Sequence, residues 1–110
     1  MRLTKKKAIE IAIELWTWLA ETGSISKLLW PGWEKYGEMG LACPLCEYDA
    51  RKAAKSELGA CNYCPYCEVF GECMTDEFVD ATPYDMWVCA TATPERKKYA
   101  SQFLEQLKQL

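Results

Sequence analysis

The chain contains no histidine. That removes the commonest general base and the commonest nitrogen ligand for metals. It also has no apolar stretch long enough to span a bilayer. Arg2 and Lys5 to Lys7 imitate the basic start of a secretory signal, but Glu10 and Glu14 break the apolar run behind them and no small-residue cleavage site follows. Strand-period alternation, internal repeats, low-complexity segments, phosphate-cradling glycine loops and nucleophile elbows are all missing. From Glu68 to Asp85 there are six acids and no Lys or Arg, the opposite of what phosphate binding asks. These absences point away from membrane spans, β architecture and acid–base catalysis. They lead us to expect a cytoplasmic protein, where thiols stay reduced.

What is present is a chain of 110 residues, half of them apolar, with five Trp and seven Cys. That length fits one domain, 1–110, with a core but a thin stability margin, for which a metal staple is a common remedy. The net charge of −3 is unevenly spread: residues 1–30 and 94–110 each carry +2, and 31–93 carry −7.

The pattern predicts a mainly α fold. Residues 4–21 read as a helix capped by Thr4 and stopped by Gly23, with so wide an apolar face that most of it must be buried. Residues 22–42 carry four glycines and Pro31 and read as loop. Trp30, Trp33 and Tyr36 are expected to pin that loop to the core, the alternative being an exposed contact surface. Residues 47–58 read as a helix between two cysteine clusters, ended by Gly59. Thr75-Asp76-Glu77 reads as a short helix start. Thr82-Pro83 with Asp85 reads as a capped start, and Thr93-Pro94-Glu95 repeats the signature for the last helix. Tyr99, Phe103, Leu107 and Leu110 form its apolar face. Two wide apolar faces are expected to pack together through Trp16, Leu19, Phe103 and Leu107.

The cysteines carry the chemistry. Cys43-Pro44-Leu45-Cys46 is followed, after fourteen residues, by Cys61-Asn62-Tyr63-Cys64, and then by Cys67 and Cys73. Two such pairs at this separation have the spacing of a structural zinc site, because each tight turn converges two sulfurs on one ion. The expected ligands are Cys43, Cys46, Cys61 and Cys64, with Cys73 as the substitute. Cys67 and Cys89 are expected to be free, Cys89 as a small core residue after Met86-Trp87-Val88. Two rivals stay open. An iron–sulfur cluster on Cys61, Cys64, Cys67 and Cys73 has a last gap of five residues instead of three. Thiol redox chemistry at Cys64-Pro65-Tyr66-Cys67 would need that motif at a helix start behind a strand.

Several segments together resemble a group of small cysteine-rich bacteriophage and prophage proteins of unknown function. They are Leu15-Trp16-Thr17-Trp18-Leu19-Ala20-Glu21-Thr22-Gly23, Cys43-Pro44-Leu45-Cys46-Glu47-Tyr48, and Cys61-Asn62-Tyr63-Cys64-Pro65 with Phe70-Gly71-Glu72-Cys73. Pro83-Tyr84-Asp85-Met86-Trp87 and Arg96-Lys97-Lys98-Tyr99-Ala100 complete the set. The resemblance spans nearly the whole chain. It implies a phage origin and a metal site at Cys43, Cys46, Cys61, Cys64 and Cys73, and no activity; Cys67 is an addition to its pattern.

The expectation is therefore a small helical domain with paired N- and C-terminal helices and a central four-cysteine zinc-knuckle region. The segments are 1–30, 41–75 and 94–110. Its expected role is not enzymatic: the resemblance implies an accessory module that binds a host or phage protein and inhibits or redirects host machinery, including immune systems. The alternatives are nucleic-acid binding, with Lys5, Lys6, Lys7, Arg96, Lys97 and Lys98 forming one basic patch, and a small-ligand binder or thiol redox protein.

Overall fold

A computed structural model of the chain describes residues 2–37, 39, 42–54, 63–71, 73 and 81–110, and among these every regular element is helical. Helix α1 (Lys5–Thr22) starts where the Thr4 hydroxyl accepts from the Lys7 amide at 3.1 Å. It ends at Gly23, whose φ of +67° is left-handed and whose N–H closes onto the Leu19 carbonyl. A Cβ at Gly23 would also sit 2.5 Å from the Thr93 methyl, so glycine both turns the chain and lets the segment at Thr93 approach. Ala8, Ile11, Ala12, Leu15, Trp16 and Leu19 are buried, while Ile9, Ile13 and Trp18 are only half-buried.

The expected loop after α1 is more ordered than its glycines suggested. It holds a 3-10 turn at Lys27–Leu29, capped by the Ser26 hydroxyl, and a short helix α2 (Trp33–Tyr36). Trp30 and Trp33 are buried against each other edge to face, ring centres 5.0 Å apart, and Trp33 Nε1 donates to the Lys27 carbonyl at 2.9 Å. Gly32 leaves room for this pair, since a Cβ there would lie 2.3 Å from the Trp30 ring. These tryptophans therefore pin the segment to the core.

Helix α3 (Pro44–Ala53) begins inside the first cysteine pair, three residues earlier than the composition of 47–58 suggested, because Cys43 acts as its cap and Pro44 as its first residue. Positions 55–58 and the expected start at Thr75-Asp76-Glu77 lie outside the described residues. Helix α4 (Pro65–Phe70) is also a Cys-Pro start, with Cys64 at the cap position.

Helix α5 (Pro83–Cys89) has a complete capping box: the Thr82 hydroxyl accepts from the Asp85 amide and the Asp85 carboxylate accepts from the Thr82 amide, both at 3.1 Å. The same hydroxyl donates to the Cys73 carbonyl. Thr82→Ala is expected to cost about 1–2 kcal/mol in urea unfolding, the upper range for a lost cap, because it also cuts this tie. A loss under about 0.3 kcal/mol would show that the box contributes nothing. Cys89 is exposed, contrary to its expected core position; Trp87 is the buried residue of this helix. Two steps along a helix turn a side chain by about 200°, which puts the two on opposite faces.

Helix α6 (Thr93–Leu107) differs from expectation at its start. Ala92, not Thr93, is the cap residue and makes no side-chain bond; the Thr93 hydroxyl instead accepts from Arg96 Nη2 at 3.1 Å. The terminal helices pair as expected, and they do so antiparallel. Arg96 Nε, at the start of α6, donates to the Gly23 carbonyl at the end of α1, at 2.8 Å. Leu110, beyond the end of α6, shares a shallow cleft with Lys5, Lys6 and Ile9.

The core lies between α1, α5 and α6 and is aromatic. Trp16 meets Phe103 at 4.4 Å, Trp87 at 5.1 Å and Tyr84 at 5.6 Å between ring centres, and Tyr66 of α4 meets Phe103 at 5.0 Å. Tilted and edge-on geometries dominate, as the ring quadrupoles prefer. The Tyr66 hydroxyl donates to Gln106 Oε1 at 2.7 Å, which ties α4 to α6. Among the described residues no helix is long and apolar enough to cross a membrane.

Candidate metal centre

Cys43 and Cys46 occupy the cap and the first turn of α3. The Cys46 amide donates to Cys43 Sγ at 3.4 Å, the N–H to sulfur contact that a tight Cys-x-x-Cys turn produces. The two thiols are also hydrogen-bonded to each other, with Cys46 as the donor. The bond from Cys46 is the main cause that draws Cys43 down to about 6; burial opposes it, and the Lys27 charge and the Cys46 amide assist. Cys46 is pushed far up, first as the donor in that bond, then by burial and by the nearby charges of Cys43, Cys73 and Cys64.

Cys64 is buried at the cap of α4. Burial pushes its thiol up to about 11, although the amides of Cys67 and Tyr66 face it and pull the other way without making a cap bond. A redox nucleophile at Cys64-Pro65-Tyr66-Cys67 needs the reverse, a thiol brought down toward neutrality. The motif does sit at a helix start, but no strand precedes it among the described residues.

The chain thus gathers four thiols, Cys43, Cys46, Cys64 and Cys73, within electrostatic reach of one another. Among the described residues no three Cys, Asp or Glu side chains converge tightly enough to hold one ion. Cys61, one of the four expected ligands, lies outside the described residues. The donor chemistry suits a thiophilic ion: soft sulfurs, no competing imidazole, and amide N–H groups aimed at two of the sulfurs.

Two residues that sequence reasoning passed over help to build this region. Asp49 is 6% exposed on α3, and its carboxylate accepts from the Tyr63 amide at 2.8 Å, holding the approach to Cys64 against α3. Lys27 donates to the Tyr84 hydroxyl at 2.6 Å and stands 4.8 Å over that ring. Nothing in the sequence singled out either residue, since Asp49 shares its helix with Glu47, Arg51 and Lys52.

Over the thiols opens a cleft of about 540 Å³. Cys43, Cys46 and Cys73 line it together with Tyr84 and Trp87. Its rim carries Ile25 and Leu28, which are 74% and 72% exposed, and Leu29 beside them is 64% exposed. The exposed apolar side chains of the segment after α1 are thus aliphatic, while its tryptophans are buried.

The two basic clusters do not merge. Antiparallel pairing puts Lys5 to Lys7 at one end of the α1–α6 pair and Arg96 to Lys98 at the other. An 18-residue helix separates its ends by about 25 Å. Compared with known proteins, the chain matches no family model, no curated protein and no solved structure.

Cys89 is the exposed thiol among the described cysteines. Under native conditions iodoacetamide is expected to alkylate it at least about tenfold faster than Cys64, by peptide mass mapping, since Cys64 is buried and burial raises its thiol. Equal labelling would show that the cysteine region opens freely.

Proposed function

We propose that this chain is a small accessory binding module, not an enzyme, whose helices are stapled by one structural zinc and whose apolar cleft grips a protein of the host or the phage. The proposed ligands are Cys43, Cys46, Cys61 and Cys64, with Cys73 as the substitute. The observation that carries the reading is the cleft itself: exposed aliphatic side chains stand around an opening lined by cysteines. Soluble chains rarely leave several large aliphatics together in water without a contact to make. Four thiolates leave zinc no open position for a reacting water, so the metal holds the walls of the cleft and does no chemistry.

The test has two arms. Elemental analysis of the purified protein is expected to give about one zinc per chain, as one four-thiolate site holds one ion; iron with inorganic sulfide favours the cluster rival, and no metal at all removes the staple. Affinity capture from infected cells, followed by mass spectrometry, is expected to enrich a protein partner with the natural chain and lose it with Leu28→Asp. Enriched nucleic acid whose retention falls steeply with salt would instead support the nucleic-acid reading. A copurified small molecule in the cleft would support a ligand binder, for which the volume lies in the usual range.

A further inference from the structure

We infer that Trp87 is a positioning residue of the metal centre, and that its indole N–H donates to a cysteine thiolate of the cluster when the ion is bound. The inference rests on the reading above that the cysteines hold a metal, and it adds a residue that orients them without being a ligand.

The observation is an orphaned donor. Trp87 is 6% exposed, and its Nε1 is enclosed with no hydrogen-bond partner. Among the described residues it is the one buried side-chain nitrogen or oxygen left in that state. A buried tryptophan usually gives this proton to an acceptor. The same chain shows the ordinary case, because Trp33 Nε1 donates to the Lys27 carbonyl at 2.9 Å. An unmet donor inside a native fold calls for a specific reason, and an ion site is one.

Its place names the acceptor. Trp87 lines the same cleft as Cys43, Cys46 and Cys73. The two side-chain hydroxyls of that cleft are engaged: Ser26 accepts from the Leu28 amide at 3.1 Å, and Tyr84 accepts from Lys27 Nζ at 2.6 Å. Sulfur is the side-chain acceptor that remains among the described lining residues. A neutral thiol accepts weakly. Zinc takes cysteine as thiolate, and a thiolate accepts charge-assisted N–H bonds. The indole therefore gains its partner together with the ion.

The donor is also fixed in direction. The Trp87 ring sits edge-on to Trp16 at 5.1 Å between centres and tilted against Tyr84 at 5.9 Å. Its helix is held by the capping box at Thr82. The Thr82 hydroxyl that closes this box also donates to the Cys73 carbonyl, so one helix start carries Trp87 and tethers Cys73. The Cys46 amide already faces Cys43 Sγ at 3.4 Å. The indole brings a further donor from a different element, α5. Outer donors of this kind orient the ligands and steady the thiolate charge.

The test uses the full-length chain labelled with nitrogen-15 at its five tryptophans. The Trp87 indole signal is assigned in the natural chain through its contacts with the Trp16 and Tyr84 rings, so this arm needs no variant to fold. Zinc loading is expected to move that signal downfield, as the N–H meets sulfur. In the cobalt-substituted protein, Trp87→Phe is expected to shift the thiolate charge-transfer band to lower energy, because a sulfur that loses a donor holds its electrons less tightly. Chelator competition is expected to give a zinc dissociation constant about 10–100-fold higher in Trp87→Phe, the usual effect of removing an outer donor. Trp16→Phe is the control for packing, since Trp16 touches the same ring and is not among the cleft residues; it is expected to leave the band in place. A chain that holds one zinc while its Trp87 signal stays unmoved overturns the role and keeps the metal. A band that Trp87→Phe leaves in place, or that Trp16→Phe shifts equally, does the same. A chain that takes up no zinc removes the metal reading and this role with it.

Discussion

Cys43→Ser and Cys64→Ser are each expected to unfold the region from α3 to α5, and a strong chelator is expected to do the same to the natural chain. The metal-binding free energy of a structural zinc site is folding free energy, on the order of 10 kcal/mol. That is comparable to the whole stability of a domain this size, about 5–15 kcal/mol. The local structure gives each substitution a further cost. Cys43 caps α3 and accepts the Cys46 amide, and Cys64 is buried at the start of α4 between elements that Asp49 and Tyr66 tie down. Cys89→Ser is the control, and it should stay within about 0.5 kcal/mol because the residue is exposed. The measurement is circular dichroism and thermal melting with and without chelator. A stripped protein that keeps its helices and its melting point, yet loses its partner, would overturn the structural role. In the cobalt-substituted protein, Cys61→Ser and Cys73→Ser decide the remaining ligand, because the variant that lacks a true ligand loses thiolate charge-transfer intensity.

Phe103→Ala is expected to destabilise by about 3–5 kcal/mol in urea unfolding. Its ring lies among Trp16, Tyr66 and Tyr84, with centres 4.4, 5.0 and 5.6 Å away, and those partners come from α1, α4 and α5. No single neighbour can move into the space without abandoning another, so the cavity collapses poorly and the cost falls at the upper end of the usual range. Phe103→Leu keeps most of the volume and should cost less than half as much. Deletion of residues 94–110 should abolish cooperative unfolding altogether. Intact folding of that truncation would show that α1 has another surface to cover its apolar face.

The terminal helices were legible because each combines a wide apolar stripe with its own boundary signal: Thr4 and Gly23 for α1, Pro94 for α6. Their antiparallel sense was not, since a stripe says that a helix must be covered and not from which direction. That sense is what divides the basic residues into two distant groups. Helix α4 escaped notice because six residues are too few for a 3.6-residue period to emerge. Cys89 was misplaced for a related reason: in a short helix one position decides between core and solvent, and Trp87 takes the core. The pairs Cys43-x-x-Cys46 and Cys61-x-x-Cys64 were visible as spacing. Cys73 was named as the substitute ligand; what spacing did not show is that the Thr82 hydroxyl holds the Cys73 carbonyl at the foot of α5, with Cys73 lining the same cleft as Cys43 and Cys46.

The antiparallel α1–α6 pair also sets a schedule for the nascent chain. Roughly 85 residues separate the end of α1 from the end of α6, and at about 5–20 residues per second a ribosome needs some 4–17 s to add them. Through that interval Trp16 lacks the Phe103 ring, because α6 is made after α1 and after the α5 rings that also cover it. Helix α1 is therefore a natural client of a holding chaperone until α6 is made. Slow codons anywhere between α1 and the end of α6 would lengthen its exposure.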